Sequence, residues 1–202
     1  MSALAIGRPP RMLEADLALP PGPPRAGAVV CHPHPQYGGD MENAVVVAAA
    51  AMLVAAGVAV LRFNFGGVGR STGVSGGGEA EVTDVRAAFD ALAGRLADQV
   101  PLVLVGYSFG AWAALRAAAD GCPARRIVAI GPPLAFLDWG FLGTLAVPVD
   151  VVVGDRDQFC DAARLGRLSA GIGRRIIRGA DHFFGGREAE VGAAVVDCLA
   201  GV

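Results

Sequence analysis

The stretch 102-LVLVGYSFGAWAALRAA-118 decides the fold. A β-branched and aliphatic run ends in Gly106-Tyr107-Ser108-Phe109-Gly110, and an alanine-rich helical stretch starts at once. Strand, sharp turn and helix form the setting in which a G-x-S-x-G motif presents a nucleophile. So tight a turn leaves no room for side chains beside the serine, hence Gly106 and Gly110. It exposes the Ser108 hydroxyl at the positive end of a helix, where a negatively charged intermediate is stabilised.

A second match, Gly69-Arg70-Ser71-Thr72-Gly73, lacks that setting, because GVSGGG follows where a helix should begin. Ser71 therefore reads as a loop serine. In the same loop Gly67-Val68-Gly69 has no third glycine at the spacing of a dinucleotide-binding turn, nor an immediate helix, so a nucleotide cofactor is not expected.

Outward from the elbow, strands and helices alternate. Strands are expected at 11–19, 27–31, 58–63, 101–105, 127–131, 149–153 and 174–178, and helices at 43–56, 80–97, 109–119, 161–170 and 187–200. The first two strands are joined by the short proline-rich turn PPGPPR, which predicts an antiparallel hairpin between them. The later strands, separated by helices, predict a parallel sheet covered on both faces. The whole, 1–202, reads as a single α/β domain.

Composition narrows the function classes. Apolar residues make up 53% and charged residues 18% of the 202 residues, and the net charge is −2, with no basic run to meet a nucleic acid. Four scattered cysteines with no C-x-x-C pair suit a reducing compartment, and the N-terminus lacks the pattern of a secretion signal, so a cytoplasmic location is expected. The apolar run 44–61 is long enough to suggest a membrane span, but Gly57 divides it into a buried helix and a strand. Nothing in the sequence speaks to oligomeric state.

In parallel sheets of this kind, ligands bind at the carboxyl ends of the strands. A serine hydroxyl needs a base within reach. The chain has only three histidines, and His182 alone follows Ser108, in the order Ser…Asp/Glu…His. The acid comes from VDVVVGDRDQF, where Asp155 and Asp157 are both candidates. Asp161 reads as a helix cap and Asp181 as a residue that holds its own loop.

The segments CHPHPQYGGDMEN, RFNFGGVGRSTG, GYSFGA, GDRDQF and DHFF, in this order, resemble the α/β-hydrolase superfamily. More narrowly, they resemble its small lidless serine hydrolases and esterases with a histidine-proline-histidine-proline loop. The resemblance covers nearly the whole chain. It implies Ser108 as nucleophile, His182 as base and, three residues after Gly154, Asp157 as the acid. Relatives commonly have an arginine where this chain has Gly66.

The pair His32 and His34 invites a metal reading. A zinc site needs further ligands, and His182 is the only other histidine, so no metal is expected. The loop follows a strand where such hydrolases place one arm of the oxyanion hole. Between Pro33 and Pro35, which have no N–H, His34 alone offers one. The expected donors are the backbone N–H groups of His34 and Phe109, with the His32 ring buried against loop backbone.

The implied activity is a serine hydrolase of carboxylic esters, acting through an acyl-enzyme without a cofactor on a small acyl ester. The segment 131–148 is too short for a cap domain, so the cleft is open and short acyl chains are favoured. Tyr107, Phe136, Leu137 and Trp139 are the candidate pocket residues, the alternative being that the aromatic rings pack under their loop. The same site could serve a thioester, a lactone, a small amide or an acylated peptide. A non-catalytic interaction module on this fold is the rival from another class.

Overall fold

The computed structural model describes residues 2–160 and 173–202. Eight strands form one sheet: β1 (Ser2–Arg8), β2 (Arg11–Ala18), β3 (Ala26–Cys31), β4 (Val58–Phe63), β5 (Leu102–Tyr107), β6 (Ile127–Ile130), β7 (Val149–Gly154) and β8 (Gly173–Ile177). Their order across it is β1-β2-β4-β3-β5-β6-β7-β8. Strands β3 to β8 run parallel, while β1 pairs with β2 and β2 with β4 in antiparallel fashion. The helices among the described residues are α1 (Ala44–Ala55), α2 (Glu79–Ala93), α3 (Phe109–Ala119) and α4 (Glu188–Cys198). The helix expected at 161–170, with Asp161 as its cap, lies outside the described residues.

An antiparallel hairpin does open the chain, but not between the strands expected from the sequence. Residues 2–8 form β1 and pair with β2, whereas 27–31 turns away to lie between β4 and β5. The proline-rich turn therefore crosses the sheet instead of closing a hairpin. Strand β1 was invisible in the sequence because it is an edge strand in which Ile6 alone is buried. Helix α2 ends at Gly94, earlier than expected.

The alternating residues of the strands build a core on each face. On one face Val29, Leu61, Phe63 and Leu104 pack against Val85 and Phe89 of α2 and Leu115 of α3. On the other, Val30, Val60, Val105 and Val152 pack against Val46 and Leu53 of α1 and Val191 and Val195 of α4. The apolar run 44–61 is thus helix α1 followed by β4. The Asn43 side chain caps α1 by accepting from Val45 N at 3.0 Å, and the chain leaves the helix through Gly57 at φ +81°. Among the described residues no helix is long and apolar enough to cross a membrane.

The chain reverses its direction of travel across the sheet at β3, which sits between β4 and β5. Cys31, the last residue of β3, lies opposite Gly106 of β5. The loops after these two strands therefore leave the sheet side by side, at the position where such sheets form a crevice.

Candidate active site

The turn from β5 to α3 carries Ser108 at φ +54° and ψ −118°, one of two non-glycine residues with positive φ among those described. That conformation is costly for an L-residue and persists only where its surroundings enforce it. The enforcement comes from close packing. A side chain at Gly106 would collide with the carbonyl of Gly110, and one at Gly110 would come within about 2.5 Å of the Cys31 and His32 carbonyl oxygens. Both glycines let α3 start directly against the ends of β3 and β5.

The Ser108 hydroxyl points at His182, with Oγ 2.9 Å from Nε2. On the other side of the ring, Nδ1 lies 3.0 Å from each oxygen of Asp157. A carboxylate only accepts, so the Nδ1 proton belongs to this contact and Nε2 is left to accept from the serine. Asp157 is held in turn by Phe159 N at 2.8 Å and Cys160 N at 3.0 Å, both donating to Oδ1. The Asp157 side chain is wholly buried, so little water competes for it. The other acids are occupied elsewhere: Asp155 accepts from Gly179 N and Asp181 from Phe183 N.

Three supports of His182 were not visible in the sequence. The Phe159 ring packs edge-on against the imidazole at 4.7 Å. Gly131, at φ +49° after β6, lies beneath the His182–Asp157 pair, where a β-carbon would come within 3.2 Å of Asp157 Oδ2. Tyr107 donates its hydroxyl to the carbonyl of His182 at 3.0 Å. Burial, with Asp157 and Asp181 nearby, holds this phenol above its ordinary range, so it remains a donor.

The histidine-proline loop stands across from these groups. His34 caps a 3₁₀ turn, Pro35–Tyr37, with its Nδ1 accepting from Gln36 N at 3.2 Å. Its ring packs on Phe109 at 4.7 Å and on Tyr37 at 4.9 Å. Burial lowers its pKa and favours the neutral ring. Neither the backbone N–H of His34 nor that of Phe109 donates to an acceptor among the described residues. Both nitrogens of His32 are engaged, with Pro33 O and Phe65 N. The described residues contain no cluster of side chains able to hold a metal ion.

The pocket residues need correction. Tyr107 is 4% exposed and spends its hydroxyl on the His182 loop, and Trp139 is 2% exposed within the core. Large rings near the apolar layer gain more from burial than from lining an open cleft. Leu137 is half-buried against the same core. Phe136 is exposed and packs edge-on against Phe159, which also meets the exposed Phe183. Phe136 thus joins, through Phe159, the rings that pack on His182, which are Phe159 and Phe183. The last two lie in loops read only for their acids and histidine.

The loop after β4 holds Ser71, whose hydroxyl is 2.7 Å from Asn64 O and accepts from Glu14 N. It ties β2 to the loop, and neither of these partners is a histidine. At Gly66 the space that a side chain would enter is filled by the guanidinium of Arg11, which forms an ion pair with Asp84.

Known proteins resemble this chain in sequence and fold. A family model described as an alpha/beta hydrolase domain matches residues 28–195. An uncharacterized protein of Rickettsia prowazekii is 35% identical over 98% of this chain and 89% of its own length. The structure of an alpha-beta serine hydrolase homologue from Coxiella burnetii superimposes with a TM-score of 0.88 at 32% identity, covering 98% of this chain and 97% of that one. A serine hydrolase without a lid from Xanthomonas campestris gives 0.88 at 31%, over 98% and 93%. With the mostly parallel sheet, the strained serine between two glycines and a match over most of its length, the chain belongs to the α/β-hydrolase family.

Proposed function

We propose that the chain hydrolyses small carboxylic esters through a covalent acyl-enzyme. The reading rests on one continuous hydrogen-bonded line, from Ser108 Oγ to His182 Nε2 and from His182 Nδ1 to Asp157. Ser108 attacks the acyl carbonyl while His182 takes the hydroxyl proton. Asp157 keeps the ring in the tautomer that can accept it and stabilises the imidazolium that forms. The carbonyl oxygen, now carrying the charge, is met by the N–H groups of His34 and Phe109, neither of which donates to an acceptor among the described residues. His182 returns the proton to the leaving alkoxide, and water deacylates Ser108 by the same route. No cofactor enters these steps.

An open cleft favours short acyl groups. Each buried methylene is worth about 0.8 kcal/mol, and a long chain lying in solvent gains little of it. The half-buried Phe159 and the exposed Phe136 and Phe183 offer a shallow apolar wall beside the reacting atoms.

A fluorophosphonate tests the reading without knowledge of the natural substrate. The expected result is a single adduct, mapped to Ser108 and absent from His182→Ala. A folded protein that forms no adduct, and turns over no acetyl or butyryl ester, would support a non-catalytic module instead. Parallel assays on acyl thioesters, lactones and small amides rank the acyl donors.

A further inference from the structure

The prolines of the HPHP loop do not by themselves aim the His34 N–H. Pro33 fixes its own φ, and Pro35 restricts ψ of His34, which is 123°. The peptide between Pro33 and His34 turns about the two torsions left over, ψ of Pro33 and φ of His34. Its carbonyl and its N–H lie in one plane and point in opposite directions. Whatever holds the Pro33 carbonyl therefore aims the His34 N–H.

The group that holds it is His32. Its ring is fully buried, with Nδ1 2.7 Å from Pro33 O and Nε2 3.0 Å from Phe65 N. A carbonyl accepts and an amide N–H donates, so the two partners dictate the tautomer: the proton is on Nδ1 and the lone pair on Nε2. Phe65 also packs edge-on to the ring at 4.6 Å. The imidazole thus links the 33–34 peptide to the end of β4. The next peptide is pinned as well, since the His34 carbonyl accepts from Tyr37 N and Gly39 N, both at 3.1 Å. The His32 backbone carbonyl packs against Gly110, in the first turn of the helix that begins with Phe109.

We infer that His32 is a positioning residue that aims the His34 N–H at the oxyanion and ties that donor to the Phe109 N–H across the cleft. It touches no substrate. The inference rests on the esterase reading above and adds a role for a ring outside the line of Ser108, His182 and Asp157. Burial pushes the His32 pKa down to about 4, which keeps the Nε2 lone pair available to Phe65 N.

The two amide substitutions divide the work of the ring. Asparagine puts an N–H near the place of Nδ1 and restores the bond to Pro33 O. Glutamine reaches towards Phe65 N but leaves the Pro33 carbonyl free to turn. On p-nitrophenyl acetate, His32→Gln is expected to lower kcat by about 10–10²-fold, up to the size of one oxyanion donor, with KM nearly unchanged. His32→Asn is expected to recover most of that loss. Inhibition by a trifluoromethyl ketone, whose adduct carries the same oxyanion, should weaken in proportion to kcat/KM across the variants, while binding of the carboxylate product stays level.

Full activity in His32→Gln would overturn the inference. So would losses in both variants that follow only the folded fraction, with the ketone still bound tightly by the folded part. Nitrogen NMR of the wild-type imidazole is independent of how the variants fold: the proton must be on Nδ1 near neutral pH, and a proton on Nε2 refutes the arrangement. A wild-type chain that neither hydrolyses the ester nor reacts with fluorophosphonate brings down the esterase reading and this one together. An active wild type with unaffected variants removes only this one.

Discussion

Gly106–Gly110 and Gly69–Gly73 spell the same motif, and the chain uses them for opposite purposes. Ser108 is forced to positive φ, at the start of a helix, with its hydroxyl directed at His182. Ser71 is 7% exposed, and its hydroxyl both donates to Asn64 O and accepts from Glu14 N. A hydroxyl committed to two backbone partners has no capacity left for a base. Chemistry at such a motif is decided by whether the fold leaves the oxygen unfinished.

Ser108→Ala should remove the largest effect, about 10⁶ in kcat by analogy with a serine protease nucleophile, and leave the circular dichroism and thermal midpoint close to wild type. Substantial ester turnover in that variant would erase the contrast. The two neighbouring acids sharpen it next. Asp157→Asn is expected to lower kcat by about 10⁴, the loss known for that change in a serine-protease triad. Among the described residues Asp155→Asn disturbs the side-chain bond to Gly179 N, and steady-state kinetics should find its activity within about tenfold of wild type.

Acid should weaken the fold on the His32 side. The ring has a pKa near 4 in the folded protein and about 6.5 when unfolded, so the unfolded chain binds more protons in that interval. The stability due to the neutral ring is fully present above about pH 6.5 and is lost as pH falls towards 4, by an amount on the order of 3 kcal/mol. The groups around it are Pro33 O, Phe65 N and, at longer range, Asp40, Glu81 and His34. Urea unfolding at pH 7 and pH 4.5, for wild type and His32→Asn, should show a larger difference in the wild type.

The second loop yields smaller effects. Gly66→Arg must displace the Arg11 guanidinium and should cost about 1–3 kcal/mol, read as a lower thermal midpoint. Combining it with Arg11→Ala should recover part of the loss, because the new guanidinium can then reach Asp84. Ser71→Ala is the smallest, about 1–2 kcal/mol of stability for its backbone partners, with kcat within a few-fold of wild type.

The sequence made the elbow legible because steric necessity writes itself locally: two glycines around a serine, apolar residues before and alanines after. The strand-helix alternation was legible for the same reason, and α3 occupies the residues expected of it. Other features depend on partners distant in the chain. Strand β1 needs β2 beside it to be a strand at all. Gly66 looks like a lost arginine until Arg11 fills the space from β2. Phe159 and Phe183 read as ordinary apolar residues until the loops converge on His182. Trp139 and Tyr107 read as pocket rings because periodicity does not separate a ring under a loop from a ring above it.

The sequence distances within the site carry a consequence for folding. Ser108 and His182 are 74 residues apart, His182 and Asp157 are 25 apart, and His32 meets Phe65 across 33. Closing such loops costs entropy that no local helix recovers, and non-local pairing slows folding. A chain with half its sheet assembled has the serine but neither its base nor its acid. During refolding, reactivity of Ser108 should therefore return with the last strands to dock, after most helical signal is back, which makes the nucleophile a built-in clock for completion of the sheet.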